Sequence, residues 1–420
     1  MPSRTALVTV LLTLTGVVAC SNMPTLEASQ GIADSPAPAD WAREAALQQA
    51  RAAAAACVEQ TKIDPWNELL IVEPADLVPG NQDTPWAFAS VMRSVAGALA
   101  GSVANDWLRA LDKEEYGAAQ PDATLRSSIE SAVLCPWKRA YEGNECDATC
   151  AHCKYETLRL RDAPFVPIAV VNRGDLAANA SGCTAGRGEA RIVYNAIDLE
   201  TRVPLPLTVS FEFGFGDAKV RVHEWHALGA QVDPQNGRSG LEAVVAKFVS
   251  TDNLLRVRTG ESIRSLNKGA WHMRDFAWRG DRLQPQALAE TPPNELWNTQ
   301  ELSLLMAGRN ALSNNIPSNQ LAWVSVIPTP AFTWVAPLQS PRVERSFSQI
   351  TCNGCHGGDR PYDGLTFRHI MLDDEGQTRV SRFLFDPDDR NTGELARRAK
   401  WMRESLCGVC STGAGGYYAP

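Results

Sequence analysis

Cys352-Asn353-Gly354-Cys355-His356 places two thiols and an imidazole within five consecutive residues. On one helical turn the thiols share a side, spaced to form thioethers with the two vinyl groups of a haem. The next residue, His356, is then set to ligate the iron. Covalent c-type haem is the first chemistry this chain offers, and Cys352, Cys355 and His356 are its candidate residues. Its sixth ligand would be His369, thirteen residues on, then Met371, or Met402 in the last helical stretch. A methionine would raise the potential, a second histidine would lower it, and an empty position would admit peroxidase-like chemistry. Two other readings use the same thiols. Cys352 and Cys355 could form disulfides with Cys407 and Cys410, or the four could hold a tetrahedral zinc. Eleven cysteines do not choose between them, because the count left after Cys20 is even with or without a haem.

The remaining clusters carry weaker signals. Cys146, Cys150, His152 and Cys153 could ligate a metal, but with Cys57, Cys135 and Cys183 they read better as disulfides that staple a loop. Cys407-Gly408-Val409-Cys410 lacks the strand–helix context of a redox dithiol. His223-Glu224-Trp225-His226 lacks the i, i+4 histidine pair of a zinc protease, so His226 reads as a buried, hydrogen-bonded side chain. Arg173-Gly174-Asp175 matches a cell-adhesion tripeptide but follows an apolar run. Arg258, Glu261 and Arg274 read as a charge network on a sheet.

The elements that must position these residues fall into three zones, and the fold class they imply is α+β. Residues 41–160 are α-rich: Ala-rich helix from Asp40 to Gln60, a helix opened by Asp83-Thr84-Pro85 and continued by Phe88, Met92 and Val95, and another ending near Cys135-Pro136. Residues 161–341 are β-rich. Leu207, Val209, Phe211 and Phe213 alternate with Thr208, Ser210 and Glu212, the period of a half-buried strand. Phe165 to Val171, Arg191 to Ile197, Leu254 to Arg258 and Trp271 to Trp278 read as further strands of an antiparallel sheet. A connector from 292 to 341 packs on it. Residues 342–410 form a small helical, cytochrome-c-like unit, and 411–420 a loose tail.

The first nineteen residues read as an export leader, with Arg4 ahead of an apolar core too short to span a bilayer. Val17-Val18-Ala19-Cys20 resembles a lipobox, which makes Cys20 a lipid anchor and 20–40 a tether. Without an Asp after Cys20, the outer membrane is the expected address, facing periplasm or cell surface. Loss of Arg4 with the leader leaves 39 basic against 48 acidic residues and no basic run, so nucleic acid is excluded as a partner.

Beyond single motifs, the chain resembles a group of bacterial lipoproteins of myxobacterial type. The resemblance rests on Trp86-Ala87-Phe88-Ala89-Ser90-Val91-Met92-Arg93, on Ala169-Val170-Val171-Asn172-Arg173-Gly174-Asp175-Leu176 and on Gly188-Glu189-Ala190-Arg191. Pro206 to Phe213, Trp225-His226-Ala227-Leu228-Gly229, Arg258-Thr259-Gly260-Glu261, Phe347 to His356 and Phe367-Arg368-His369-Ile370 complete it. The insert at 146–153 stands outside that pattern. The resemblance implies a shared architecture and lipoprotein status, and no activity. Together these readings predict an anchored envelope protein in electron transfer with a redox partner, or else a structural or binding lipoprotein without chemistry. Cys20→Ser is expected to abolish fatty-acid labelling and shift the chain from membranes to the soluble fraction; labelling that persists would refute the anchor.

Overall fold

The computed structural model describes residues 40–72, 84–112, 129–142, 146, 150, 157–177, 188–215, 222–229, 234–261, 271–288, 291–311, 321–322, 325–327, 333–348, 351–357, 369–385 and 393–409. Two compact units divide the chain, residues 1–57 and 58–420. The first contributes most of α1 (Asp40–Gln60), a long Ala-rich helix whose described side chains are mostly exposed. The leader, Cys20 and the tether lie outside the described residues. No described helix is long and apolar enough to cross a membrane.

The second unit is built on an antiparallel sheet whose first seven strands follow chain order. They are β1 (Leu70–Val72), β2 (Phe165–Arg173), β3 (Glu189–Ile197), β4 (Pro204–Gly214), β5 (Leu254–Glu261), β6 (Trp271–Arg279) and β7 (Arg282–Gln286). An eighth, β8 (Ser325–Ile327), comes from the expected connector and pairs with the start of β6. Strand β4 has the period read from sequence: Leu207, Val209, Phe211 and Phe213 are all fully buried on one face. Period two fixes what the opposite face must carry, namely Thr208, Ser210 and Glu212.

The apolar face is covered by helices inserted between strands. Between β1 and β2 lie α3 (Phe88–Ala96), α4 (Ala100–Asp112) and α5 (Cys135–Glu142), and between β4 and β5 lie α6 (Val222–Gly229) and α7 (Pro234–Phe248). The short helix α2 (Pro65–Glu68) precedes β1. Phe88 of α3 stacks on Phe165 at 4.6 Å and meets Tyr194 and Phe211 edge-on. Trp107 of α4 meets Phe211 and Phe276, both at 6.3 Å. Phe248 of α7 closes over Phe213 at 5.8 Å. Each of these rings contributes roughly 1.5–3 kcal/mol on burial. Tyr194 keeps its polar end satisfied by donating to the Trp86 carbonyl at 2.7 Å.

Two helix boundaries differ from the sequence expectation. Thr84-Pro85 does not start α3; Ala87 N–H donates to the Thr84 carbonyl, so Pro85 occupies a tight turn and the helix opens two residues after Trp86. The helix expected to end near Cys135-Pro136 continues through it. A π turn at Glu130–Leu134 precedes Pro136, and its wider ring takes up the clash a proline makes with the preceding turn. Cys135 is joined to Cys150 across fifteen residues, a closure worth about 3 kcal/mol by loop entropy. Cys57, Cys146 and Cys407 are also disulfide-bonded; His152, Cys153 and Cys183 lie outside the described residues.

The C-terminal part is not wholly helical. Helices α8 (Gln300–Ala311), α9 (Pro341–Ser348), α10 (Cys352–Gly357) and α11 (Glu394–Leu406) are joined by a small hairpin, β9 (Ile370–Leu372) with β10 (Thr378–Val380). Ile370, Leu372, Leu384, Leu395, Ala399 and Met402 belong to the same apolar core as the sheet. Some seventy residues are too few to enclose a core of their own, so this segment borrows one. Phe211→Ala removes a ring that touches Phe88, Trp107, Tyr194 and Phe213 at once. It is expected to cost about 3–5 kcal/mol in urea unfolding, and a loss under ~1 kcal/mol would contradict this core.

Candidate functional site

The other face of the sheet carries charge. Register places Arg173 opposite Glu189, Arg191 opposite Glu212, Glu212 opposite Arg256 and Arg258 opposite Asp275, so alternating charges cross five neighbouring strands. Arg258 grips Asp275 with two bonds, 2.8 and 2.9 Å. Arg191 donates to Glu189 at 3.0 Å, and Arg256 donates to both Glu212 and Glu189. At the end of β2, Arg173 grips Asp175 with bonds of 3.0 and 3.1 Å. Helix α11 completes the band: Arg397 bridges Asp175 and Glu394, and Arg398 donates to Glu394 at 3.1 Å.

Burial raises the cost of each ion, and partners on every side repay it. Glu212 and Asp175 are desolvated, yet the surrounding guanidiniums hold both carboxyls well below their usual range. Arg398 is the exception among the arginines, pushed down to about 10 by burial and by Arg173 beside it. The Arg173-Gly174-Asp175 tripeptide is thus an internal ion pair with both side chains 2% exposed, not a surface adhesion motif. The network expected from Arg258, Glu261 and Arg274 is two networks. Arg258 belongs to the charged face. Arg274 points to the helical face, where it lies 3.6 Å from Glu261 and donates to the Leu111 carbonyl at the end of α4.

The pentapeptide sits on this platform. Trp334, fully buried, donates from its indole to Thr351 at 2.9 Å, and its backbone N–H donates to Ser348. These bonds fix the entry to α10. A Cβ at Gly354 would lie 2.1 Å from the Ser348 carbonyl, so the second residue between the cysteines has to be glycine. Cys352 is 3% exposed, packs with Met273 and Leu288, and donates its backbone N–H to Thr291 at 3.0 Å. Burial raises its thiol pKa against the opposing pull of Arg258. Cys352 keeps a thiol while Cys407 is in a disulfide, so the two are not joined. The four-thiolate zinc would need Cys407 reduced. The side chain of Cys355, and Cys410, lie outside the described residues. Among those residues no cluster of three or more His, Cys, Asp or Glu side chains forms a metal site.

Of the three distal candidates, His369 is the one whose ring reaches His356. The two rings stack at 4.2 Å between centroids, and His369 stacks in turn on Phe383 at 4.6 Å. Ser381 lies 3.1 Å from His369 Nδ1 and orients the ring. Burial, with His356, Arg398, Arg173 and Arg191 nearby, depresses the His369 pKa well below 6.5 and keeps the imidazole neutral. Met402 is fully buried on the apolar side of α11 with Leu395 and Ala399, and Met371 lies half-buried on β9.

As a donor set, two cysteines a turn apart, the adjacent His356 and a neutral second histidine suit a c-type haem. The ring geometry sets one condition. The rings of His356 and His369 meet face to face at 4.2 Å, which leaves no room for a haem between them. Ligation by both requires the 369–383 segment to draw back from α10. Sequence reasoning missed Asp175, Glu394, Arg397 and Arg398, whose partners lie up to 222 residues away in the chain. Comparisons with protein-family models, curated proteins and solved structures find no match to this chain.

A histidine held neutral by the fold takes up its proton only on unfolding, so it withdraws stability as pH falls below about 6.5. The urea midpoint of the wild type should drop between about pH 7 and pH 5.5, before the carboxylates titrate. His369→Phe keeps the stack and removes the titration, so its midpoint should fall less over that window. Identical slopes would show that His369 is not buried in this way.

Proposed function

We propose that this chain is a lipid-anchored bacterial envelope protein that carries a c-type haem on Cys352 and Cys355 and transfers electrons to or from a redox protein. The observation that supports the reading is the placement of Cys352 and His356 on one short helix, α10, with the neutral ring of His369 close beside it. His356 would be the proximal ligand and His369 the distal one. When bound, haem would supply a one-electron couple, with two imidazole ligands setting a low potential.

The chain's own residues suit that task. Ser381 holds His369 by Nδ1, which leaves Nε2 as the ligating nitrogen. Phe383 backs the ring. Burial, reinforced by His356 and the guanidiniums nearby, keeps His369 unprotonated at neutral pH, so a proton would not compete for the ligand nitrogen. Disulfides, including Cys135–Cys150, agree with an oxidising compartment. The leader, Cys20 and the lipoprotein resemblance support export and anchoring in the outer membrane. Net acidity argues against nucleic acid as a partner.

A second reading has its own observation. Cys352 is enclosed by Met273 and Leu288, and a thiol so buried is unreactive. On that reading the pentapeptide is a packing turn in a structural or binding lipoprotein. A pyridine haemochrome spectrum decides between them, taken on protein from a host with c-type maturation machinery. Expected is a c-type spectrum that survives acid–acetone extraction and disappears in the Cys352→Ser/Cys355→Ser double variant. A colourless wild type from that host would refute the haem and leave the packing reading.

A further inference from the structure

Leu338 is unfavourable in two independent ways. Its side chain is 97% exposed, the most open large apolar residue among those described. Its backbone, at φ +66°, lies in the left-handed region that costs free energy for any residue with a Cβ. It is the third residue of a four-residue turn, Ala336 to Gln339, closed by the Gln339 N–H donating to the Ala336 carbonyl at 3.3 Å. With proline second, this is the position where glycine or asparagine normally stands. Folding alone would favour either of them, so a leucine here answers a demand from outside the fold.

The turn is held firmly and has apolar company. Ser303 on α8 donates its hydroxyl to the Pro337 carbonyl, and its own carbonyl accepts the Gln339 side-chain amide at 3.1 Å, one bond on each side of Leu338. The next residue, Leu304, is 68% exposed, while Leu302 and Met306 of the same helix are buried with Trp334 and Ala336. Trp297, 46% exposed, is fastened to the segment leading into the turn. Its indole donates to the Thr333 carbonyl at 3.1 Å, and the Asn298 N–H donates to Val335 at 2.8 Å. Charge beside the tip is arranged as well. Helix α9 opens at Pro341 and exposes Arg342 and Arg345, while Glu344 turns inward to accept the Ala336 N–H at 2.9 Å. The exposed acids Glu295 and Glu301 flank Trp297 in the chain instead.

We propose that this surface rests on a phospholipid bilayer, with Leu338 inserted at the interface, Leu304 and Trp297 beside it, and Arg342 and Arg345 at headgroup phosphates. A projecting leucine is a knob. A protein partner would have to supply a matching hole, whereas a fluid interface accepts it without one. An indole whose N–H is already bonded and whose ring is open suits the same boundary. The proposal rests on the anchored reading for its purpose: a chain held beside a membrane by its N-terminus needs only weak further contact to fix its orientation.

Quenching by nitroxide lipids tests it. The full chain carries a fluorescent probe on Leu338→Cys or, as control, on Asp281→Cys in the exposed turn between β6 and β7. Each is mixed with vesicles of phosphatidylethanolamine and phosphatidylglycerol that bear the nitroxide near the headgroup. Quenching should be several-fold stronger at 338 than at 281. Flotation with the vesicles but without that contrast keeps the anchor and overturns this surface. The contrast in a chain that carries no acyl group supports the surface and removes the anchor. A probe shielded equally with and without lipid, in a particle of doubled mass, would assign the patch to a second copy and overturn the proposal. Leu338→Gly should unfold at a urea concentration no lower than the wild type, because glycine relieves the turn; a clear loss of stability would show that the fold itself uses this leucine, and would overturn the proposal too.

Discussion

A row of buried ions on one face of the sheet is the constraint around which the rest is arranged. Six arginines and five acids, from Arg173 on β2 to Asp275 on β6 and back to Arg398 on α11, pair with one another largely out of water. Such an array is stable only when every member keeps its partner; removal of one leaves a bare buried charge at a cost of about 3–5 kcal/mol. The sheet is therefore two-sided in an unusual sense. One face is closed by aromatic packing against α3, α4 and α7, and the other by charge pairing against the C-terminal segment. The pentapeptide is carried on the second face, with Arg258 beside Cys352 and Arg173, Arg191 and Arg398 around His369.

This placement gives the fold a role in the site's chemistry. Burial, with guanidiniums close by, keeps the His369 imidazole neutral, which is the form that donates a lone pair.

Much of the architecture was legible in sequence, because period and composition are local. Phe211 and its neighbours gave themselves away by alternation, and Glu394 to Leu406 by helical spacing. The pairing of charges was not, because it depends on register. Arg258 and Arg274 look equivalent along the chain, yet they face opposite sides of adjacent strands. Glu394 carries no local sign that its partner is Arg173. Strands of three residues, such as β1 and β8, hold too little period to be read, and they exist because a longer neighbour offers them an edge. The pentapeptide was the loudest signal in the sequence, and its surroundings were the least audible, since they come from β6, the 288–291 segment and α11.

The ion band also has an order in time. Ribosomes make this chain from β1 towards α11, and neighbours in the sheet from β1 to β7 follow in that same order. Its aromatic side is complete once β6 has emerged and Phe276 has met Trp107. The charged side stays open for another hundred and more residues, until Glu394 arrives to share Arg173, Arg397 and Arg398. The last helix is therefore the keystone of the molecule rather than an appendage. A premature stop between β6 and α11 would leave a sheet with one dry face and one row of ion pairs uncovered, a form suited to disposal by quality control and not to partial function.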